Sequence, residues 1–203
     1  MAGMSTPLRS SPIAMTVLAL LHYQPLHPYG IQRLIKQWGK EQVVNVSQRA
    51  SLYRTIERLL AAELISVRET GRDQQYPERT VYELTDAGRS TAREWLEEML
   101  AVPRQEFPEF PAALSNLLLL MPQEIEQHLA RRAEALAGTL AGLDAGLAAD
   151  RERGLPRISG LEAEYLRAVT FAELEWVRSV VDDLQSRRLT WSPEELLAFA
   201  EEQ

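Results

Sequence analysis

Ser47, Ser51, Arg54 and Arg58 recur at i, i+4, i+7 and i+11, the spacing that lines residues along one side of an α-helix. Ala50 lies beside that row, Tyr53 at its flank, and Gln48 and Arg49 share its first turn. Hydroxyls and guanidiniums donate hydrogen bonds to base edges and phosphate oxygens, and an alanine methyl can lie against a thymine methyl. A helix N-terminus adds a favourable field for an anion. The row is therefore suited to reading double-stranded DNA, provided that it faces outward.

Catalytic constellations do not emerge beside it. His22, His27 and His128 lack metal-ligand spacing, and Glu173/Glu175 and Asp182-Asp183 read as solvated helix charges. There is no Gly-rich phosphate loop and no nucleophile elbow. Cys is absent, which excludes thiolate chemistry and fits a reducing cytoplasm. The expectation is a protein that is not an enzyme and carries no cofactor. The longest apolar runs, such as Leu117–Met121, are too short for a membrane span. The net charge of -7 looks unsuited to DNA until it is divided. Residues 1–93 hold twelve Lys/Arg against eight Asp/Glu, net +4, and residues 94–203 hold ten against twenty-one, net -11. Phosphates respond to the local field, so the basic front half is what matters.

The elements that must position the row follow from caps and periodicity. Ser11-Pro12 predicts the start of a helix running to about Tyr23, and Pro25 and Pro28 punctuate the loop after it. Ile31, Leu34, Ile35 and Trp38 define a second helix stopped by Gly39. Asn45 or Ser47 caps a third, whose core stripe is Leu52, Ile56, Leu59 and Leu60. The period then changes to two in LISVRE and TVYEL, a hairpin with a long polar tip. Arg68, Arg72 and Arg79 stand at or near that tip, where a wing meets the DNA backbone or minor groove; Asp73 and Glu78 oppose them. Thr85 caps a fourth helix with Ala92, Trp95, Leu96 and Met99 on one face. Three helices and a hairpin make a winged helix-turn-helix.

Three stretches resemble the PadR family of bacterial transcriptional regulators: VLALLHYQPLHPYGIQRLI at 17–35, SQRASLYRTIERLLAAELI at 47–65 and YELTDAGR at 82–89. They come in the family's order and spacing. The resemblance implies a winged helix-turn-helix followed by a helical dimerisation region, binding an inverted repeat as a homodimer and often repressing. Carried over by position, Ser47, Ser51, Tyr53 and Arg54 match the family's recognition-helix positions and Arg72 falls in its wing. Ala50 stands where glycine is common, Arg54 where proline is common, and Pro28-Tyr29-Gly30 replaces the usual Gly-Tyr-Glu.

The Pro-rich segment at 103–111 separates the chain into a DNA-binding domain at 1–101 and a helical dimerisation or effector domain at 102–203. Leu129, Ala133, Leu136, Leu140, Leu143 and Leu147 form a seam that could pack within the chain or across a two-fold axis. GLPRISG at 154–160 interrupts the helices, and Ser192-Pro193 with Glu195 predicts a small terminal one. A last long helix, about 161–188, bears Tyr165, Val169, Trp176, Val180 and Leu184, which with Trp95 and Met99 are the residues expected at a homodimer interface. Trp95 and Met99 are also the candidates for contact with an aromatic small-molecule effector, against the plainer reading that they pack a core. A winged helix that binds protein rather than DNA is the rival reading; it would have no use for the row on the third helix.

Overall fold

The computed structural model describes residues 8–44, 49–71 and 79–192 of the 203. It forms two compact units, Met1–Gln105 and Glu106–Gln203. The first holds α1 (Pro12–Tyr23), α2 (Pro28–Gln37), α3 (Arg49–Ala61), β1 (Ile65–Gly71), β2 (Arg79–Leu84) and α4 (Asp86–Ala101). The second holds α5 (Glu109–Leu114), α6 (Pro122–Glu152) and α7 (Leu161–Gln185). This is a winged helix-turn-helix followed by a helical unit, mainly α with one hairpin, as expected.

Helix starts follow local chemistry. The backbone N–H of Ala14 donates to Ser11 Oγ at 3.3 Å, and Pro12 occupies the first turn of α1, where its missing N–H costs nothing. α2 is capped by an imidazole that the sequence reading passed over: Gly30 N–H donates to His27 Nδ1 at 3.0 Å. Gly39, at φ 66, takes the left-handed conformation beyond the end of α2. The cap expected from Asn45 or Ser47 lies outside the described residues, as does the predicted terminal helix after Ser192.

The core of the first unit gathers Val17, Leu18, Ile31, Ile35, Leu52, Ile56, Leu59 and Ile65, all essentially without solvent contact. α1 packs against α3, α4 and β2 and is the central post. β1 and β2 pair antiparallel, Ile65 opposite Leu84 and Val67 opposite Tyr82, but Glu69 then faces Val81. Arg68 is thus an extra residue, a β-bulge that raises the local twist of the hairpin. Leu26, in the loop before α2, adds a short second ladder on the other edge of β2. Its N–H donates to the Tyr82 carbonyl at 3.0 Å, and Tyr82 N–H donates back to the Leu26 carbonyl at 2.9 Å.

Thr85 locks α4 onto the hairpin. Its hydroxyl accepts from Gly88 N–H at 3.0 Å and donates to the Glu63 carbonyl at 2.8 Å. Gly88 is needed for contact rather than conformation, because a Cβ there would stand 2.0 Å from the Leu64 carbonyl oxygen. Trp95 is 8% exposed and belongs to the core of this unit.

In the second unit α6 and α7 run antiparallel. Arg132 hydrogen-bonds Glu173, Asp144 pairs with Arg167, and Gln185 Nε2 donates to Glu126 at 3.0 Å. Ile125 and Leu129 of α6 pack with Val177 and Leu184 of α7, joined by half-buried Ala133, Leu136 and Val180. The leucine seam of α6 therefore packs along α7 within the chain. Leu143 and Leu147 are buried farther along it, and Leu140 is half-buried. Gly154, at φ 70, ends the turn after α6. Among the described residues no helix is long and apolar enough to cross a membrane, and no group of His, Asp or Glu is placed to hold a metal ion.

Candidate nucleic-acid interface

α3 has one apolar flank, and the sector it buries decides which residues it offers. Leu52, Ile56 and Leu59 point into the core, as their spacing predicts. Thr55 joins them at 6% exposure, its hydroxyl donating to the Ser51 carbonyl one turn back at 2.9 Å. That extra buried position rotates the outward sector. Its centre runs along Ala50, Arg54, Glu57 and Ala61, with Tyr53 and Arg58 at the sides, all exposed; Ser51 is only half-exposed. Of the expected row, Arg54 and Arg58 are exposed, while Ser51 sits at the margin of the outward sector. The reason is that a threonine able to satisfy its hydroxyl on its own helix can be buried like a valine.

Glu57 is the residue in this sector that the spacing argument overlooked. It shares the outward face with Arg54 three residues earlier, yet among the described residues no ion pair or hydrogen bond engages Arg54, Glu57 or Arg58. Two free guanidiniums and one free carboxylate therefore project together. The Tyr82 phenol, on the hairpin, has its pKa raised above the ordinary 10.0, first by burial and then by the negative charge of Glu57, with Tyr53 adding to it.

The wing residues are less uniform. Arg68, at the bulge, lies 4.0 Å from the Glu83 carboxylate, an exposed pair that offsets part of its charge. Arg79 begins β2, and Arg49 begins α3; only their backbones are described. Ser47, Gln48 and Arg72 lie outside the described residues.

Two clefts stand apart from this face. One, of about 600 Å³ in the first unit, lies between α1 and α4 and is walled by Met15, Leu18, Leu96 and Leu100. At its rim the Arg89 guanidinium Nη1 lies 3.3 Å from His22 Nδ1, within hydrogen-bond reach. The other, of about 590 Å³ in the second unit, is lined by Phe110, Leu114, Leu117, Ile125 and Leu129, with Arg132 stacked 3.5 Å from the Phe110 ring centre. Neither is lined by Trp95 or Met99. Trp95 is held in the core and Met99 is half-buried, so the expectation that this pair meets an effector or a partner chain is corrected for Trp95, whose surface is already covered.

The residues expected at an interface on α7 divide in the same way. Tyr165 is 68% exposed, and Val169 and Trp176 are likewise largely open, at 47% and 44%. Val180 is half-buried and Leu184 is closed against α6, so Leu184 is corrected from interface to internal packing. α7 has two apolar sides: one of them, with Leu174 and Val177, closes the hairpin, and the other faces out.

Residues 17–94 match the family model described as the transcriptional regulator PadR-like family. No curated protein matches the sequence. Among solved structures, PadR from Bacillus subtilis in complex with operator DNA is similar with a TM-score of 0.69 at 18% identity, covering 85% of this chain and 98% of that one. The same Bacillus subtilis protein in complex with p-coumaric acid gives 0.67 at 16% identity, over 86% and 99%. The virulence activator AphA of Vibrio cholerae gives 0.66 at 20% identity, over 86% and 99%. At such identities the likeness is one of fold.

Proposed function

We propose that this chain, a member of the PadR-like family of transcriptional regulators by its domain over residues 17–94, binds an inverted repeat in double-stranded DNA as a homodimer and represses the genes beside it. The observation that carries the reading is the outward face of α3, which precedes a twisted hairpin and where Arg54 and Arg58 are exposed and, among the described residues, make no ion pair or side-chain hydrogen bond. Surface guanidiniums on a soluble protein are commonly paired; two left free on the helix that leads into a wing are suited to phosphates and base edges. Operator DNA bound by a relative of the same fold supports it.

A mobility shift with the chain's own upstream region is the test. Affinity should fall steeply with salt, and Arg54→Ala should reduce the slope of log affinity against log salt by about one unit for a lost phosphate contact. Binding insensitive to salt, or a variant with an unchanged slope and unchanged sequence preference, would reject the reading.

Two finer points belong to the same proposal. Homodimerisation rests on the exposed Tyr165, Val169 and Trp176 stripe of α7, with half-buried Val180 beside it; half-buried Met99 on α4 is a separate candidate. Control by a small molecule is better served by the cleft between α1 and α4 than by Trp95 and Met99. The cleft combines apolar walls with Arg89 and His22, a fit for an aromatic acid, and a relative of the same fold is known with p-coumaric acid bound. Repression is the sign proposed; a transcription assay on the upstream region, with and without the protein, decides it.

A further inference from the structure

A carboxylate on a DNA-reading face is costly, because every phosphate it approaches repels it. Glu57 sits near the centre of the outward sector of α3, exposed and uncommitted, while Arg54 and Arg58 on the same face make no ion pair with it. An ionised glutamate offers only acceptors. The major-groove floor offers it donors at two bases alone, the N4 amino group of cytosine and the N6 amino group of adenine. Guanine shows it two acceptors, and thymine an acceptor and a methyl. At adenine the N7 acceptor lies beside the amino group on the same base and repels a carboxylate; at cytosine the same-base groove neighbour of N4 is the apolar C5–H edge.

From this juxtaposition we infer that Glu57 is a specificity-determining residue whose carboxylate accepts a hydrogen bond from the N4 amino group of a cytosine in each half-site. The inference rests on the DNA-binding reading above and adds to it which base is selected. The cost of the negative charge is what gives discrimination: at a guanine or thymine the carboxylate is left facing acceptors with no donor, and binding there is penalised beyond the loss of one bond.

The test is selection of bound sequences from a random duplex pool by the full chain and by two variants, Glu57→Gln and Glu57→Ala. Both keep an exposed position polar or small on a helix, so circular dichroism should be unchanged. The wild type should select a palindrome with one fixed cytosine per half-site that the variants alter. Glu57→Gln should move that position toward adenine, since an amide both accepts and donates and pairs with adenine N6 and N7. Glu57→Ala should lose the preference there by about tenfold while keeping the rest of the consensus. An unchanged consensus in both variants, with affinity for all duplexes raised by a common factor, would overturn the inference and leave Glu57 a mere like charge. A wild type that selects no sequence at all would instead remove the DNA-binding reading, and the inference with it.

Discussion

At the scale of single residues, the caps and the free side chains are what link sequence to use. His27 closes the N-terminus of α2 through Nδ1, and α2 is the helix that leads into α3. An imidazole cap escaped the sequence reading because Ser, Thr, Asp and Asn are the residues that usually serve. His27→Ala should lower the unfolding free energy by about 1 kcal/mol in urea titration, while His27→Asp should restore most of it. Equal loss in both variants would show that the cap matters less than the ring, which stacks on Tyr29 at 6.0 Å. Glu57 is missed for a different reason: the spacing of Ser47, Ser51, Arg54 and Arg58 sets the outward face on that row, and the burial of Thr55 turns the face toward Glu57. No local pattern announces a buried threonine that bonds back to its own helix.

At the scale of elements, much was legible. Ser11-Pro12, Thr85 and Gly39 mark boundaries by chemistry confined to one turn, and the change of period after Glu63 marks the hairpin. What could not be read are contacts between distant segments. The bulge at Arg68, the Leu26–Tyr82 ladder and the close approach of Gly88 to Leu64 depend on where separate elements meet. Gly88 makes the sharpest case. Its Cβ would collide with backbone, which cannot swing aside as a side chain can, so Gly88→Ala should destabilise the chain by at least the upper part of about 1–3 kcal/mol. Thermal unfolding measures it; a variant as stable as the parent would mean that α4 slides on the hairpin without loss. Trp95 and Leu184 show the converse limit. Helical spacing tells that a residue lies on an apolar face, not which of two apolar surroundings that face meets.

At the scale of the whole molecule, charge and apolar surface are unevenly distributed. The basic part of the sequence contains α3, while the acidic part contains α6 and α7, so association with DNA should be oriented by the field before any contact forms. α7 turns Tyr165, Val169 and Trp176 outward in addition to the side that closes its own hairpin, and an apolar stripe of that kind marks an association surface. Light scattering should therefore give a particle of twice 23.0 kDa. Trp176→Asp should weaken association by on the order of 2 kcal/mol or more, the cost typical of a central aromatic anchor. A stable 23.0 kDa particle at micromolar concentration in the parent chain would reject the dimer.

The reciprocal pair of backbone bonds joining Leu26 to Tyr82 stitches the approach to α2 onto the base of the hairpin. Wing and helix pair are thereby made to open as a unit, since neither can leave without breaking the other's ladder. In native-state hydrogen exchange the amides of Leu26 and Tyr82, fifty-six positions apart, should surrender their protons at one common rate. The seam through which DNA-induced movement of the wing would reach the helices is then two hydrogen bonds wide.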